Sequence, residues 1–263
     1  MKYASGLNMI IICFLLHACV KKNSEATFNS TDSLSLKYSV ITTLPHNEKA
    51  FTEGLVIYKN KTLESTGLKD QSWIAEVDQI SGEHVKKVEL ESRYFGEGIT
   101  VLNNKIYQLT YQERVGFIYD ASTYSKKGEF TYQSEGWGIT HNNQNLIMSD
   151  GTYKLYFLDT TNYHLVRTLT VTDGAGNKIK NLNELEYIDG YIFANVYESS
   201  EIVKIDPVSG KVVRRLDLSR LTNEIKGSYP NTLELNGIAY DQNTKALLVT
   251  GKYWPKAFLI KLQ

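Results

Sequence analysis

The chain has 263 residues, of which 42% are hydrophobic and 22% charged, enough apolar content for a sizeable core and too much for extended disorder. Its 29 basic and 29 acidic side chains cancel to a formal net charge of zero. That balance argues against a nucleic-acid partner, because such proteins carry a clustered basic excess to neutralise phosphates.

In chain order, the first segment reads as a targeting signal. Met1 and Lys2 give a positive start, Leu7 to Leu16 form an apolar run, and Leu-His-Ala-Cys closes it at Cys19. A run of about ten residues is too short to span a bilayer and has the length of a secretory core. The ending resembles the lipobox of bacterial lipoproteins, although His17 is unusual there. The resemblance implies a signal peptide over 1–18 that removes Cys13, lipid on Cys19, and therefore no disulfide. The polar stretch through residue 35 then serves as a tether, with the folded domain over 36–263. The protein is accordingly expected to be secreted across the inner membrane and held by lipid at the periplasmic face or the outer membrane.

The remainder is written as a repeat. FTEGL, YFGEGIT, SEGWGIT, LNELEYI and LNGIAY align on Gly54, Gly98, Gly138, Glu184 and Gly237, at intervals of 44, 40, 46 and 53 residues. Each signature is followed by an apolar stretch, a turn (KN, NN, NNQN, DG, QNTK) and a second apolar stretch. That pattern predicts a hairpin whose Asn, Asp and Gly tolerate positive φ. A second hairpin follows in the first four units, with an Asp at its turn: Asp78, Asp120, Asp159 and Asp206. With 18 tyrosines, four prolines and short Val/Ile/Tyr-rich runs, the chain reads as all-β. Four antiparallel strands per unit of this length predict a five-bladed β-propeller. The fifth unit ends one strand short, and SLKYSVITTL at 35–44 supplies the missing strand and closes the ring.

In such a ring the residues before each first strand and after each second strand face one mouth. The first set is Phe51 and Glu53, Phe95 and Glu97, Glu135 and Trp137, Asn183 and Glu184, and Asn236. The second is Thr66, Tyr111, Asp150, Tyr197 and Lys252. Aromatic walls with a few fixed polar groups suit a small, partly apolar ligand. Glu97, between Gly96 and Gly98, is expected to project into the opening. His46, His84, His141 and His164 show no metal-ligand spacing, so a zinc site is not expected. Glu53, Asp150, Glu184 and Glu186 have the oxygen chemistry for a calcium site in the axial channel. No nucleophile elbow, Walker loop or dinucleotide fingerprint is present.

Taken together, AFTEGL, YFGEGIT, EGWGIT, MSDGT, LNELEYIDGYIFANVY, LNGIAYD and VTGKYWPKAFLIKL resemble the glutamine cyclotransferase family, the plant and bacterial type of glutaminyl-peptide cyclotransferase. The resemblance covers nearly all of 36–263. It implies a monomeric five-bladed propeller that converts the N-terminal glutamine of peptides or proteins to pyroglutamate with release of ammonia, without a cofactor and without the zinc of the unrelated animal-type enzyme. It also implies catalytic roles for Glu97, as proton shuttle, and for Lys252, facing the oxyanion. Phe51, Glu53, Phe95, Tyr111, Trp137, Asn183 and Tyr197 are implied to bind substrate. Three positions depart from the plant pattern: Glu53 replaces a glutamine, and Tyr111 and Tyr197 replace tryptophans, which bears on substrate preference. Two other functions stay open: a non-catalytic peptide- or ligand-binding propeller, and a metal-dependent lactonase. Turnover of a Gln-peptide separates the first, and metal analysis the second.

Overall fold

In the computed structural model, Met1 and residues 34–263 are described. The signal segment, Cys19 and the tether up to residue 33 lie outside them. Five small sheets stand in a ring, as the repeat predicts. The N-terminal segment gives β1 (Ser35–Leu36) and β2 (Tyr38–Pro45). The first blade is β3 (Thr52–Tyr58), β4 (Lys61–Thr66), β5 (Trp73–Val77) and β6 (His84–Glu89). The second is β7 (Gly96–Leu102), β8 (Lys105–Thr110), β9 (Val115–Asp120) and β10 (Lys126–Thr131). The third is β11 (Ile139–His141), β12 (Asn145–Ser149), β13 (Lys154–Asp159) and β14 (Leu165–Thr170). The fourth is β15 (Leu182–Ile188), β16 (Tyr191–Val196), β17 (Glu201–Ile205) and β18 (Val212–Asp217). Helix α1 (Ser219–Ser228) precedes the fifth blade, β19 (Leu235–Asp241), β20 (Ala246–Gly251) and β21 (Lys256–Leu262), which β2 completes.

Local chemistry places the turns where the sequence does. Inner hairpins turn through left-handed residues at Asn60, Asn103, Asn104, Asn143, Asp189 and Lys245. In the outer hairpins, Oδ1 of Asp78, Asp120, Asp159 and Asp206 each accepts two backbone N–H groups two and three residues on.

The ring closes as expected but with a difference. β2 pairs antiparallel with β21, Tyr38 opposite Leu262 and Pro45 opposite Lys256. The predicted single strand is instead broken at Lys37, and Ser35 and Leu36 pair in parallel with Arg215 and Leu216 of the fourth blade. Ser35, the boundary residue of the expected tether and strand, therefore joins the fourth blade rather than the fifth. Lys37 lies between the two pairings, and its carbonyl accepts the Gln263 N–H at 2.9 Å, carrying the β2–β21 register one residue further.

Apolar cores lie between neighbouring blades. The largest joins blades four and five and takes in Leu221 and Ile225 of α1, a helix absent from the sequence reading. The seam between blades five and one has the smallest of the inter-blade cores, Leu55, Ala239, Leu248 and Ala257. A polar network supplements it. His46 Nε2 meets Glu64 Oε1 at 3.1 Å, His46 Nδ1 donates to the Trp254 carbonyl at 2.6 Å, and His84 Nε2 meets Glu64 Oε2 at 2.8 Å. Thr52 Oγ1 donates to Glu64 Oε1 at 2.6 Å.

Candidate active site

The innermost strands explain how so many polar side chains reach one axis. In β3, β7, β15 and β19 the register slips between Thr52 and Gly54, Gly96 and Ile99, Leu182 and Leu185, and Leu235 and Ile238. Each slip is a bulge that holds the signature polar residues: Glu53, Glu97, Asn183 with Glu184, and Asn236. A regular strand would send consecutive residues to opposite faces, whereas a bulge re-aims them. Thus Asn183 lines the mouth while Glu184 turns into the channel. There Glu184 accepts N–H groups from Leu55 at 3.3 Å and Ile238 at 2.8 Å, on two other blades.

The signature glycines have a different reason from the exposure of Glu97 that the sequence suggests. A Cβ at Gly98 would stand 2.7 Å from Ile139 N and the Trp137 carbonyl, and one at Gly138 would meet the Asn183 carbonyl at 2.1 Å. Glycine lets adjacent inner strands touch, and Gly98 N donates to the Trp137 carbonyl at 2.8 Å across the blades. Glu97 itself is only 6% exposed.

The nine side chains that the resemblance implies for catalysis and substrate binding, Phe51, Glu53, Phe95, Glu97, Tyr111, Trp137, Asn183, Tyr197 and Lys252, line one cavity of about 250 Å³. The aromatic wall is continuous. Phe51 meets Phe95 edge-on at 6.0 Å, Phe95 lies 5.8 Å from Tyr111, Tyr111 lies 6.4 Å from Trp137, and Trp137 meets Tyr197 at 5.5 Å and 90°. Lys252 Nζ donates to Glu53 Oε1 at 2.6 Å and stands over the Phe51 ring at 4.3 Å. Asn236 Nδ2 donates to Glu53 Oε2 at 3.0 Å. Asn183 Oδ1 is buried without a partner among the described residues.

Burial pushes the Glu97 carboxyl well above the ordinary carboxylate range, and the nearby charge of Glu53 pushes it further. Glu53 is raised too, by burial first, against the pull of Lys252. Burial alone would lower Lys252, but Glu53 and then Glu97 overcome it and hold the ammonium above its usual value. The combination that a dry cavity favours is therefore one ammonium, one carboxylate and one carboxylic acid.

Other ring members lie elsewhere. Glu135 sits at the rim and accepts Trp137 Nε1–H at 3.1 Å. Asp150 turns outward to the Tyr156 hydroxyl at 2.7 Å. Thr66 is buried at the end of β4. The four carboxylates with calcium chemistry do not assemble. Glu53 is taken by Lys252, Asp150 by Tyr156, Glu184 by two amides and Glu186 by Tyr240 N at 3.0 Å, and among the described residues no three acidic, His or Cys groups cluster as a metal site. Sequence reasoning missed the groups that hold this frame. Ser65 Oγ donates to the Glu97 carbonyl, and Gln108 Nε2 donates to Ser65 Oγ at 2.8 Å. Ser149 Oγ donates to the Asn183 carbonyl at 2.7 Å. The serines ending the second strands, LEST and IMSD, carry the available signal.

The family model described as glutamine cyclotransferase matches residues 10–262. This chain belongs to the glutamine cyclotransferase family. A glutaminyl-peptide cyclotransferase of Arabidopsis thaliana is 37% identical over 248 residues, which is 89% of this chain and 76% of that protein. The crystal structure of the Myxococcus xanthus glutaminyl cyclase superposes with a TM-score of 0.82 at 32% identity, covering 88% of this chain and 98% of that one.

Proposed function

We propose that the chain is a glutaminyl-peptide cyclotransferase, cyclising an N-terminal glutamine with loss of ammonia. The observation that carries this is the buried Glu97 in an aromatic cavity beside the Glu53–Lys252 pair, in a member of this family. The substrate brings its own nucleophile. Its α-amine attacks the γ-carboxamide carbon, a C–N bond forms, the tetrahedral intermediate collapses, and the carboxamide nitrogen leaves as ammonia. The protein must fold the side chain back, carry a proton from one nitrogen to the other, and stabilise the oxyanion.

A neutral carboxyl suits the proton transfer. It presents one O–H donor and one acceptor oxygen, so Glu97 takes the proton of the attacking amine on one oxygen while delivering its own to the leaving nitrogen. The amine must arrive uncharged, which its ordinary pKa of about 7.7 to 8.0 allows for a fraction of molecules at neutral pH. Lys252 has three donors, of which Glu53 takes one. The others are available to the oxyanion. The unpartnered Asn183 Oδ1 is an acceptor for the carboxamide N–H and so orients the leaving group. Phe51, Phe95, Tyr111, Trp137 and Tyr197 exclude water and hold the methylenes.

Incubating the purified chain with a Gln-initiated peptide tests the proposal: mass spectrometry should show loss of ammonia well above the spontaneous rate. No loss above that rate would leave a binding module instead. The lipobox-like ending at Cys19 separately supports a lipid anchor that holds the enzyme at a membrane, with peptides or proteins bearing N-terminal glutamine as its partners. Cys19→Ala should then move it from the membrane to the soluble fraction.

A further inference from the structure

Blade five is reached through an interval of 53 residues where the other intervals are 40 to 46, and the excess carries α1 and the loop to Glu234. The other blades close without such a segment. Here Leu221 and Ile225 anchor the helix in the core between blades four and five, and Ser200 Oγ and Thr222 Oγ1 meet at 2.7 Å. The loop then runs beside the site. Leu233 N donates to the Lys252 carbonyl and Lys252 N to the Glu234 carbonyl, both at 3.0 Å.

With Glu48 and Lys49, this loop encloses a cavity of about 450 Å³ between Tyr229, Pro230, Asn231 and Thr232 on one side and Tyr253 and Pro255 on the other. It adjoins the site, because the Tyr253 ring that lines it packs at 5.3 Å on Phe51, which lines the inner cavity. Tyr253 holds a φ of 62°, a left-handed conformation rare for a bulky residue, and donates its N–H to the Ala50 carbonyl at 2.8 Å. The backbone is thus constrained where the two cavities adjoin.

The inner cavity is small, at about 250 Å³, and below it Glu184 plugs the channel with hydrogen bonds to two blades. A peptide whose first residue sits there must leave through the mouth. Tyrosine and proline surfaces are rigid and lose little entropy when covered, which suits them to apolar or aromatic side chains. We propose that the cavity walled by the inserted segment is a subsite for the second and third residues of the peptide, selecting apolar or aromatic side chains. This inference rests on the cyclotransferase reading and adds a side-chain preference at the second and third positions of the peptide.

The test compares kcat/KM of the full-length chain for glutaminyl-alanine amide and for a glutaminyl tetrapeptide amide with phenylalanine second and leucine third. The longer peptide should be favoured by about tenfold, the scale of partly burying one apolar side chain. Tyr229→Ala, and Asn231→Trp at an exposed position that fills the groove, should cut that preference to below about threefold while keeping turnover of the dipeptide amide. Tyr229→Phe should retain the preference. Equal kcat/KM for the two substrates in the wild type, or equal losses on both in the variants, would overturn the subsite. Failure of the wild type to turn over either peptide would overturn the cyclotransferase reading instead.

Discussion

Burial first, and then the charges of Glu53, Glu135 and Glu113 against the pull of Lys252, raise the Glu97 carboxyl well above the ordinary carboxylate range and so favour its protonated form. Glu97→Gln keeps the shape and removes the exchangeable proton. Turnover should fall at least about 10²-fold with the thermal transition intact, and more than about a tenth of wild-type activity would remove the shuttle role. Glu53→Gln tests the electrostatics separately. The charge on Glu53 is the second cause of the raised Glu97 value, so its loss should lower Glu97 towards the ordinary range. Activity that needs Glu97 protonated is lost as pH rises through its folded value, so the descending limb of the kcat profile should move to lower pH. An unmoved limb would show that Glu53 does not act through Glu97. The site residues were legible because each sits in a short motif at a fixed interval. The Glu53–Lys252 pair was not, because positions 53 and 252 are joined only when the last blade meets the first.

The hairpins could be read from alternation and turn chemistry, whereas the bulges could not, because a polar pair such as Asn183–Glu184 also reads as one step off the pattern. Helix α1 was hidden by its brevity: Leu221 and Ile225 give one apolar spacing, too little to declare a helix. Between blades five and one, the His46–Glu64–His84 network makes its own prediction. Both ring nitrogens of His46 face acceptors, and although burial opposes its charge, Glu64 and the Trp254 carbonyl raise it above 6.5. Burial would raise Glu64, but His46 and His84 bring it down to about 2. The His46 contribution is complete below pH 6.5 and disappears as pH rises through the raised folded value. The Glu64 contribution is present above pH 4.5 and disappears as pH falls towards 2. Breaking this buried pair with Glu64→Gln should cost about 3 kcal/mol, a fall in Tm of about 6 to 12 °C. Melting curves at acid and alkaline pH should also show the variant losing part of the wild-type decline above pH 6.5. An identical pH dependence in both proteins would assign the network to packing alone.

A propeller has no apolar centre, so its stability depends on every seam between blades, and a ring is as secure as its closing one. Here closure rests on the N-terminal strand. β2 covers the β21 edge, Leu36, Tyr38 and Val40 pack on the core between blades four and five, and Leu44 packs on the thin core between five and one. Around Lys37 this segment pairs with blades four and five at once, and Leu44 extends its contact to the seam with blade one. Removing residues 35–45 would uncover the β21 ladder and those four side chains, a loss of about 4 kcal/mol or more at about 1 kcal/mol for each partly buried group. That corresponds to a Tm lower by about 8 to 16 °C, with an open strand edge prone to association. The same cut reaches the chemistry, because the Glu53–Lys252 pair spans the closing seam and the cut touches neither residue. If closure holds that pair at 2.6 Å, the shortened chain should lose kcat in proportion to the fraction with an open seam, and activity should fall before circular dichroism does on heating. Full activity up to the same melting temperature as the intact chain would show instead that four blades and three strands of the fifth suffice to hold the cavity.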